Sequence, residues 1–167
     1  MRSLSPVELK TDRLLLTPLK VEDAAEMVSV LADPDLYGFT GDSPPSLEVL
    51  EHRYRAQVIG PPRKGELWHN WILRLAGPET AIGFVQATVI GDSAELAWVV
   101  GTAWQGHGYA TEGAKAMRDW LAEVGTTQFT AHIHPDHEVS GRVATGIGLR
   151  RTDEVDPDGE VIWVSAV

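Results

Sequence analysis

The sequence predicts an α/β (α+β) fold in which one mixed, mostly antiparallel sheet of about seven strands has helices on both faces. Helix-like and strand-like segments alternate along the chain, and three consecutive strand-like segments are joined by short turns, as in an antiparallel meander. The chain has 167 residues, of which 43% are hydrophobic, so it can bury one substantial core. We therefore expect a single domain over residues 1–167.

The first three predicted elements are one strand and two helices. Arg13 to Leu19 is a short apolar run that ends around a proline, which is typical of a strand. Val21 to Leu31 has apolar residues at helical spacing and acidic residues in its first turn, which indicates a helix. Ser46 is a favourable N-cap, so we expect the second helix to run from Ser46 to Ile59.

The segment between these two helices, Asp33 to Pro45, is rich in turn-forming residues and carries two aromatic side chains. We interpret it as a loop in which Tyr37 and Phe39 line a substrate site. The alternative is an ordinary turn exposed to solvent. Loops often carry binding residues, which makes both aromatic residues candidates for a substrate-lining role.

Three strands are predicted in the middle of the chain, at Leu67 to Leu75, Ala81 to Ile90 and Ala94 to Val100. A glycine-rich turn follows them and opens into a helix. The apolar residues of this helix recur at steps of three and four, and Gly125 supplies its C-terminal stop.

The last predicted elements are another strand, a helix and a hairpin. The strand covers Gln128 to His134, and the helix runs from about Asp136 to Ile147. The hairpin turns around Asp156 to Gly159, where the sequence DPDG favours a tight turn. These elements complete the alternating order on which the fold class depends.

Composition and charge exclude several classes of function. The chain has no cysteine, so it has no disulfides, thiol nucleophiles or cysteine-bound metals. Its 14 Lys and Arg against 24 Asp and Glu give a formal net charge of -10, which disfavours nucleic acid and mildly favours an amine-bearing partner. The sequence has neither an apolar signal region at its start nor an apolar run long enough for a bilayer. We therefore expect a cytoplasmic protein without a membrane partner.

A cluster of possible metal ligands, in the order H-x-H-x-D-H, lies where the predicted strand Gln128 to His134 ends and the next helix begins. It comprises His132, His134, Asp136 and His137, and it resembles the signature of the metallo-β-lactamase family. That family needs further histidines downstream, whereas His137 is the last histidine of this chain. We therefore expect the end of a strand and a helix N-cap without a bound metal, and a zinc hydrolase is the less favoured alternative.

The turn from Gln105 to Ala110 is the most informative stretch. Gly106 and Gly108 allow the backbone to approach a ligand closely, and successive N–H groups can converge at the start of a helix to bind an anion such as phosphate. The turn fits neither the Walker pattern nor the dinucleotide G-x-G-x-x-G pattern. From local chemistry alone, a purely steric role for the two glycines is equally acceptable.

The sequence QGHGYA at this turn fits the Q/R-x-x-G-x-G/A pattern of the GNAT superfamily of N-acetyltransferases. Two further segments, Thr11 to Leu19 and His134 to Arg150, resemble the RimJ/RimL-like branch of that superfamily. The resemblance covers nearly the whole chain. It implies a GNAT-like sheet, acetyl-coenzyme A as cosubstrate with no metal, and transfer of the acetyl group to a primary amine on a protein N-terminus or a small molecule.

The resemblance also implies which residues contact the coenzyme. The pyrophosphate would bind the backbone of the six-residue turn, and the pantetheine arm would bind the main chain of the strand before it. An asparagine of the family often contacts this arm, and His137 stands at its position. The implied coenzyme-binding residues are Trp98, Val99, Val100, Gln105, Gly106, His107, Gly108, Tyr109, Ala110 and His137.

Acetyl transfer needs a base for the ammonium proton and an acid for the departing thiolate. Glu95 is the candidate base because it alternates with Ala97 and Val99 on a small, apolar strand face, where we expect partial burial. A strand-end glutamate in solvent is the alternative. Many family members use a tyrosine as the acid, at a position corresponding here to Ala144. By resemblance to the RimJ/RimL-like branch, Ser140 is the substitute, and a solvated helix residue or a water molecule is equally acceptable.

Two other functions stay open at this point. One is a family member without catalytic activity that binds acyl-coenzyme A as a sensor module. The other is a zinc hydrolase that uses the histidine cluster. The sequence does not distinguish a monomer from a homodimer.

Overall fold

A computed structural model describes residues 6–165. Within these residues, eight strands form one sheet in the order β1-β2-β3-β4-β5-β6-β8-β7. The strands are β1 Leu9–Lys10, β2 Leu14–Pro18, β3 Glu66–Leu75, β4 Ala81–Ile90, β5 Ser93–Val100, β6 Gln128–Ile133, β7 Leu149–Val155 and β8 Val161–Ser165. The helices are α1 Ala24–Val30, α2 Leu47–Ile59, α3 Tyr109–Glu123 and α4 Glu138–Gly146.

The predicted mixed, mostly antiparallel sheet is confirmed. Strands β5 and β6 run parallel, and the other neighbouring pairs of this sheet are antiparallel. The sheet has one strand more than expected because Leu9–Lys10 pairs with the start of β2. Two residues are too few to show the alternation by which strands are recognised in a sequence.

Helices cover both faces of the sheet, as predicted. On one face, α1 and α2 pack in a cluster that includes Met27, Leu50 and Ile72. On the other face, α3 and α4 pack in a larger cluster around Trp71 and Met117. Ser46 caps α2 as expected, because its hydroxyl accepts a hydrogen bond from the Val49 amide at 3.2 Å. No helix between residues 6 and 165 has the length and apolar character needed to cross a membrane.

The sheet opens between its two parallel strands. Residues Ser93 to Glu95 of β5 pair with Gln128 to Thr130 of β6. Beyond them, β5 continues to Val100 without pairing with β6, whereas β6 continues against β8. The second half of β5 therefore presents a free edge, with unpaired backbone groups, to the space between the two strands.

Strand β4 supports this free edge through an unusually close contact. A side chain added at Gly83 would place its Cβ 2.1 Å from the carbonyl oxygen of Val99. Only glycine permits this approach of β4 to the end of β5. The close contact fixes the position of the strand edge at which the sheet opens.

Candidate active site

A cleft of about 430 Å³ runs along the free edge of β5. We call it the β5 cleft. Trp98, Val99 and Val100 line it in succession, so it reaches both faces of the strand. Helix α4 forms the opposite wall, and the turn before α3 closes one end. The predicted residues that line this cleft are Phe39, Trp98, Val99, Val100, Gln105, Ala110, His137 and Ser140.

The glycine-rich turn forms the exposed end of the cleft. Gly106 and Gly108 have φ angles of +83° and +80°, which other residues rarely adopt. Helix α3 begins at Tyr109, and the amide of Glu112 donates to the carbonyl of Gly108 at 3.0 Å. The amides before Glu112 are therefore those that a helix leaves without an intrahelical acceptor, so they are available to an anion together with the helix dipole.

Gln105 connects this turn to the strand edge. Its side-chain Nε2 donates a hydrogen bond to the carbonyl oxygen of Val100 at 2.9 Å. The first residue of the six-residue pattern thus fixes the turn against the last residue of β5. This is a structural role for the side chain, in addition to the backbone role that the resemblance implies.

A second contact to the turn comes from the N-terminal hairpin. The guanidinium of Arg13 lies 4.6 Å from the centre of the Tyr109 ring, and the centre of the His107 ring lies 5.6 Å from the same point. Arg13 also donates to Glu112 from its backbone amide at 3.0 Å and from Nε at 2.8 Å. The hydroxyl of Thr11 donates to the same carboxylate.

The carboxylate of Glu112 therefore holds the β1–β2 turn against the first turn of α3. Burial raises the pKa of Glu112, but the hydrogen bonds from Thr11 and Arg13 outweigh it, so the net shift is downward. This contact could not be predicted from the sequence, because Thr11 and Glu112 are about a hundred residues apart and no pattern links residues at that distance.

His137 and Ser140 form a pair in the cleft wall. His137 is the N-cap of α4, and its Nδ1 accepts from the Ser140 amide at 3.4 Å. Because a backbone amide only donates, the neutral imidazole carries its proton on Nε2, which lies 3.1 Å from the Ser140 hydroxyl oxygen. Burial, and then the neighbouring His134, lowers the pKa of His137 and favours this neutral form. The hydroxyl proton of Ser140 is then free to donate into the cleft.

The loop before α2 covers part of the cleft. Phe39 stacks on His137, with ring centres 4.5 Å apart and an interplanar angle of 21°. Thr102, just after β5, donates to Asp33 at 2.8 Å and ties the start of this loop to the strand end. Tyr37 does not reach the cleft. Its hydroxyl donates to the carbonyl of Leu31 at 2.8 Å, which anchors the loop to the end of α1.

The partial burial that the sequence predicts for Glu95 is wrong. Its side chain is 55% exposed, because alternation along a strand defines a face but not what covers that face. Glu95 also lies outside the lining of the β5 cleft, about 10 Å along the strand from Trp98 and at the closed end of the gap. Its neighbour there is His132, whose Nε2 is 3.5 Å from Oε1 of Glu95.

The residues of the H-x-H-x-D-H pattern face different partners. His132 contacts Asp156, with 2.7 Å between Nδ1 and Oδ2, whereas His134 packs against Phe39 and its Nδ1 accepts from the Asp136 amide. His137 caps α4. Between residues 6 and 165, no three His, Cys, Asp or Glu side chains are grouped so as to hold a metal ion. The spacing along the chain therefore does not bring these side chains to one point.

A second depression, the α2 groove, lies on the sheet face that carries Glu95. Thr88 lines this groove and is the cross-strand partner of Glu95, so the two side chains share a face. Residues of α2, β3 and β4 line the groove. Its polar lining residues are Arg53, Gln57, Glu66, Asn70, Gln86 and Thr88.

Comparison with known proteins agrees with this geometry. The sequence model of the acetyltransferase (GNAT) domain matches residues 13–150. The chain therefore belongs to the GNAT acetyltransferase family, and the predicted class of enzyme, an acetyl-coenzyme A-dependent acetyltransferase, is confirmed. No curated protein sequence matches the chain significantly.

Solved structures with the same fold have low sequence identity to this chain. An acetyltransferase of the GNAT family from Bacillus anthracis has a TM-score of 0.79 at 20% identity, covering 95% of this chain and 97% of its own. A protein from Vibrio cholerae, provisionally assigned as a ribosomal-protein-serine acetyltransferase, has a TM-score of 0.80 at 16% identity, with 98% and 99% covered. The aminoglycoside acetyltransferase AAC(6')-Ib in complex with coenzyme A has a TM-score of 0.76 at 17% identity, with 92% and 94% covered.

Proposed function

We propose that this chain, as a single GNAT domain, transfers the acetyl group of acetyl-coenzyme A to a primary amine without a metal. The observation that carries the proposal is the β5 cleft, in which a free strand edge leads to an exposed turn of helix-start amides. An extended thioester arm needs hydrogen-bonding backbone along its length, and a pyrophosphate needs converging donors at its end. The cleft offers both in that order.

In this proposal the pyrophosphate binds the amides of residues 105–110, and the pantetheine arm runs along Trp98 to Val100. The two glycines have positive φ angles, which allows the backbone to approach the pyrophosphate closely, and the α3 dipole adds a favourable field. His137 contributes to the opposite wall as the cap of α4. Phe39 shields the arm from solvent through its contact with the His137 ring.

Glu95 is proposed to accept the proton of the acceptor ammonium through a water relay, since Glu95 lies about 10 Å along the strand from Trp98. The amine nitrogen then attacks the thioester carbon, the C–S bond breaks, and the thiolate needs a proton. Ser140 is proposed as the donor of that proton, because the Nε2–H of His137 occupies its oxygen and leaves its hydroxyl proton free. Polarisation of the thioester carbonyl is assigned to a main-chain N–H near Val99 or Val100.

We place the acceptor amine on the sheet face of the α2 groove, because Thr88 of that groove lies beside Glu95. The low-identity relatives do not fix the acceptor, since one is provisionally a ribosomal-protein-serine acetyltransferase and another is an aminoglycoside acetyltransferase. We favour the RimJ/RimL-like branch, with a protein N-terminus or a small amine as acceptor. The segment Thr11 to Leu19 and the presence of Ser140 support this branch, and cytoplasmic location stays a prediction.

The proposal is tested by incubating the protein with acetyl-coenzyme A and a panel of amines, and measuring released thiol together with acetylated product by mass spectrometry. The panel contains N-terminal peptides, aminoglycosides, amino acids and polyamines. Product formation with at least one primary amine supports the proposal. Tight acetyl-coenzyme A binding without transfer to any member of the panel would instead favour a sensor module.

A further inference from the structure

His132 lies between two carboxylates on the sheet face that carries Glu95. Its Nδ1 is 2.7 Å from Oδ2 of Asp156, and its Nε2 is 3.5 Å from Oε1 of Glu95. The Asp156 side chain is 10% exposed and that of His132 is 26% exposed, whereas that of Glu95 is 55% exposed. The three groups therefore form a row in which side-chain exposure increases from Asp156 through His132 to Glu95.

Asp156 is held in a fixed orientation by the turn between β7 and β8. Its Oδ1 accepts hydrogen bonds from the amides of Asp158 and Glu160, both at 2.9 Å, which leaves Oδ2 for His132. The hydrogen bond with His132, followed by the one from the Glu160 amide, lowers the pKa of Asp156. An ionised carboxylate only accepts, so Nδ1 carries a proton and Nε2 is the atom whose protonation changes.

The surroundings of His132 favour its charged form. Burial alone lowers the pKa of His132, but the hydrogen bond with Asp156 and the negative charges of Glu95, Asp156 and Glu160 outweigh it, so the net shift is upward. Glu95 faces the imidazole from β5, and the other two carboxylates face it from the β7–β8 turn. Glu160 itself has a raised pKa because of its burial and the neighbouring Asp156.

We propose that His132, oriented by Asp156, takes up the proton that Glu95 removes from the acceptor amine. The inference rests on the proposed function, since it concerns the fate of that proton. An N–H bond of the ammonium breaks and leaves its electron pair on nitrogen for the attack. The proton binds the Glu95 carboxylate and then moves to Nε2 of His132, which restores the carboxylate.

His132 acts through Glu95 and is therefore a positioning residue with a proton-accepting nitrogen. An exposed carboxylate alone is a weak base for an ammonium proton, and an imidazole behind it supplies a stronger one. The arrangement is active when Nε2 is unprotonated. The value of kcat/KM should therefore rise with pH through the pKa of His132, at a midpoint above the ordinary value of 6.5.

The test measures kcat/KM from pH 5 to 9 for the wild type, Asp156→Asn and His132→Gln, using a verified amine acceptor. In Asp156→Asn, the amide oxygen keeps the two turn hydrogen bonds, but the amide N–H donates to Nδ1 and places the imidazole proton on Nε2. We expect the maximal rate to fall at least about tenfold, at the low end of what proton transfer contributes. In His132→Gln, the rise of kcat/KM with pH that is due to the imidazole should disappear.

A direct readout is the ring-proton NMR titration of His132, assigned from its loss in His132→Gln. The midpoint of this titration should match the midpoint of the rise of kcat/KM with pH in the wild type. It should move to lower pH in Asp156→Asn, because a negative neighbour is lost. Asp158→Asn is the matched control, since it removes a carboxylate from the same turn and lines neither the β5 cleft nor the α2 groove. It should change neither the titration nor the rate.

Coenzyme affinity, measured for each variant, reports whether the fold is intact. If the wild type acetylates amines and both variants keep its rate and its pH dependence of kcat/KM, the role of His132 is overturned and the proposed function stands. A His132 titration midpoint at or below 6.5 in the wild type would overturn that role as well. A wild type that binds acetyl-coenzyme A and acetylates no amine would instead overturn the proposed function, and the inference with it.

Discussion

The Nε2 atom of His137 lies 3.1 Å from the Oγ atom of Ser140, one turn into α4. The same imidazole accepts the Ser140 amide through Nδ1 and stacks on Phe39, so its orientation is fixed from two sides. A histidine at this position thus performs the capping that an asparagine would, and it also directs the serine hydroxyl proton toward the cleft.

Ser140→Ala should lower kcat, because the thiolate then leaves without a positioned proton donor. We expect a loss of about a hundredfold with little change in the KM for acetyl-coenzyme A. Steady-state kinetics with thiol detection measure both constants. Thr145→Ala is the matched control, since its hydroxyl donates to the Gly141 carbonyl in the same helix and does not line the cleft. An unchanged kcat in Ser140→Ala would remove Ser140 from the mechanism.

Glu95→Gln should keep coenzyme affinity and lower turnover by about a hundredfold to ten-thousandfold, which is the usual contribution of a general base. The loss should shrink as pH rises, because an increasing fraction of the acceptor amine is then already deprotonated. Rates measured from pH 6 to 10 check this. Glu154→Gln, at an exposed position of β7, is the control for loss of a surface charge. Wild-type turnover by Glu95→Gln at neutral pH would show that another group is the base.

Most of the fold could be predicted from the sequence, because its signals are local. Ser46 begins α2 as its capping preference indicates, and Ala81–Ile90 has the predicted bounds. The short turns between β3, β4 and β5 correctly indicated antiparallel pairing. Patterns of this kind depend on residues within one or two turns of each other, which is the range at which sequence reasoning is reliable.

The site was predictable only where a motif or a strand edge defines it. Trp98 to Val100, Gln105 and Ala110 line the β5 cleft, whereas their contacts with the coenzyme stay a prediction. The contact of His132 with Asp156 was missed, since it joins β6 to a hairpin turn that follows another helix and strand. The exposure of Glu95 was missed because alternation along a strand defines a face but not what covers that face.

We expect His69 to make the stability of the protein sensitive to acid. Its side chain is buried among Trp71 and Trp120, and burial lowers its pKa below the ordinary value of 6.5. A histidine with a lowered folded-state pKa contributes stability above the unfolded value, and that contribution is lost as pH falls toward the folded value. The free energy of unfolding should therefore decrease on acidification below about 6.5.

His69→Phe removes this titrating group while keeping an aromatic ring. Urea unfolding between pH 5 and 8 should show a smaller loss of stability on acidification in the variant than in the wild type. The difference between the two curves should grow as pH falls, since only the wild type must protonate a buried imidazole. Parallel curves over this range would show that His69 does not contribute to the acid sensitivity.

Gly83→Ala should destabilise the protein because the new Cβ would lie 2.1 Å from the Val99 carbonyl oxygen, which is backbone and has little room to move. Overpacking of this kind typically costs about 1–3 kcal/mol. Thermal or urea unfolding measures the loss. Gly38→Ala is the matched control, because Gly38 has φ of -59° and its nearest neighbour would be 3.8 Å away. Equal stability of the two variants would contradict the close approach of β4 and β5.

The central claim is that the β5 cleft binds acetyl-coenzyme A with the pyrophosphate at the turn before α3. It is tested most directly by calorimetric titration of acetyl-coenzyme A into the wild type, Gly108→Val and Gly77→Val. Both glycines have positive φ, of +80° and +93°, but Gly77 lies in the remote β3–β4 turn, so the two variants carry the same kind of strain. We predict that Gly108→Val raises the Kd at least tenfold, about 1.4 kcal/mol, while Gly77→Val leaves it unchanged. A folded Gly108→Val protein with wild-type affinity would contradict the assignment of this turn to the pyrophosphate.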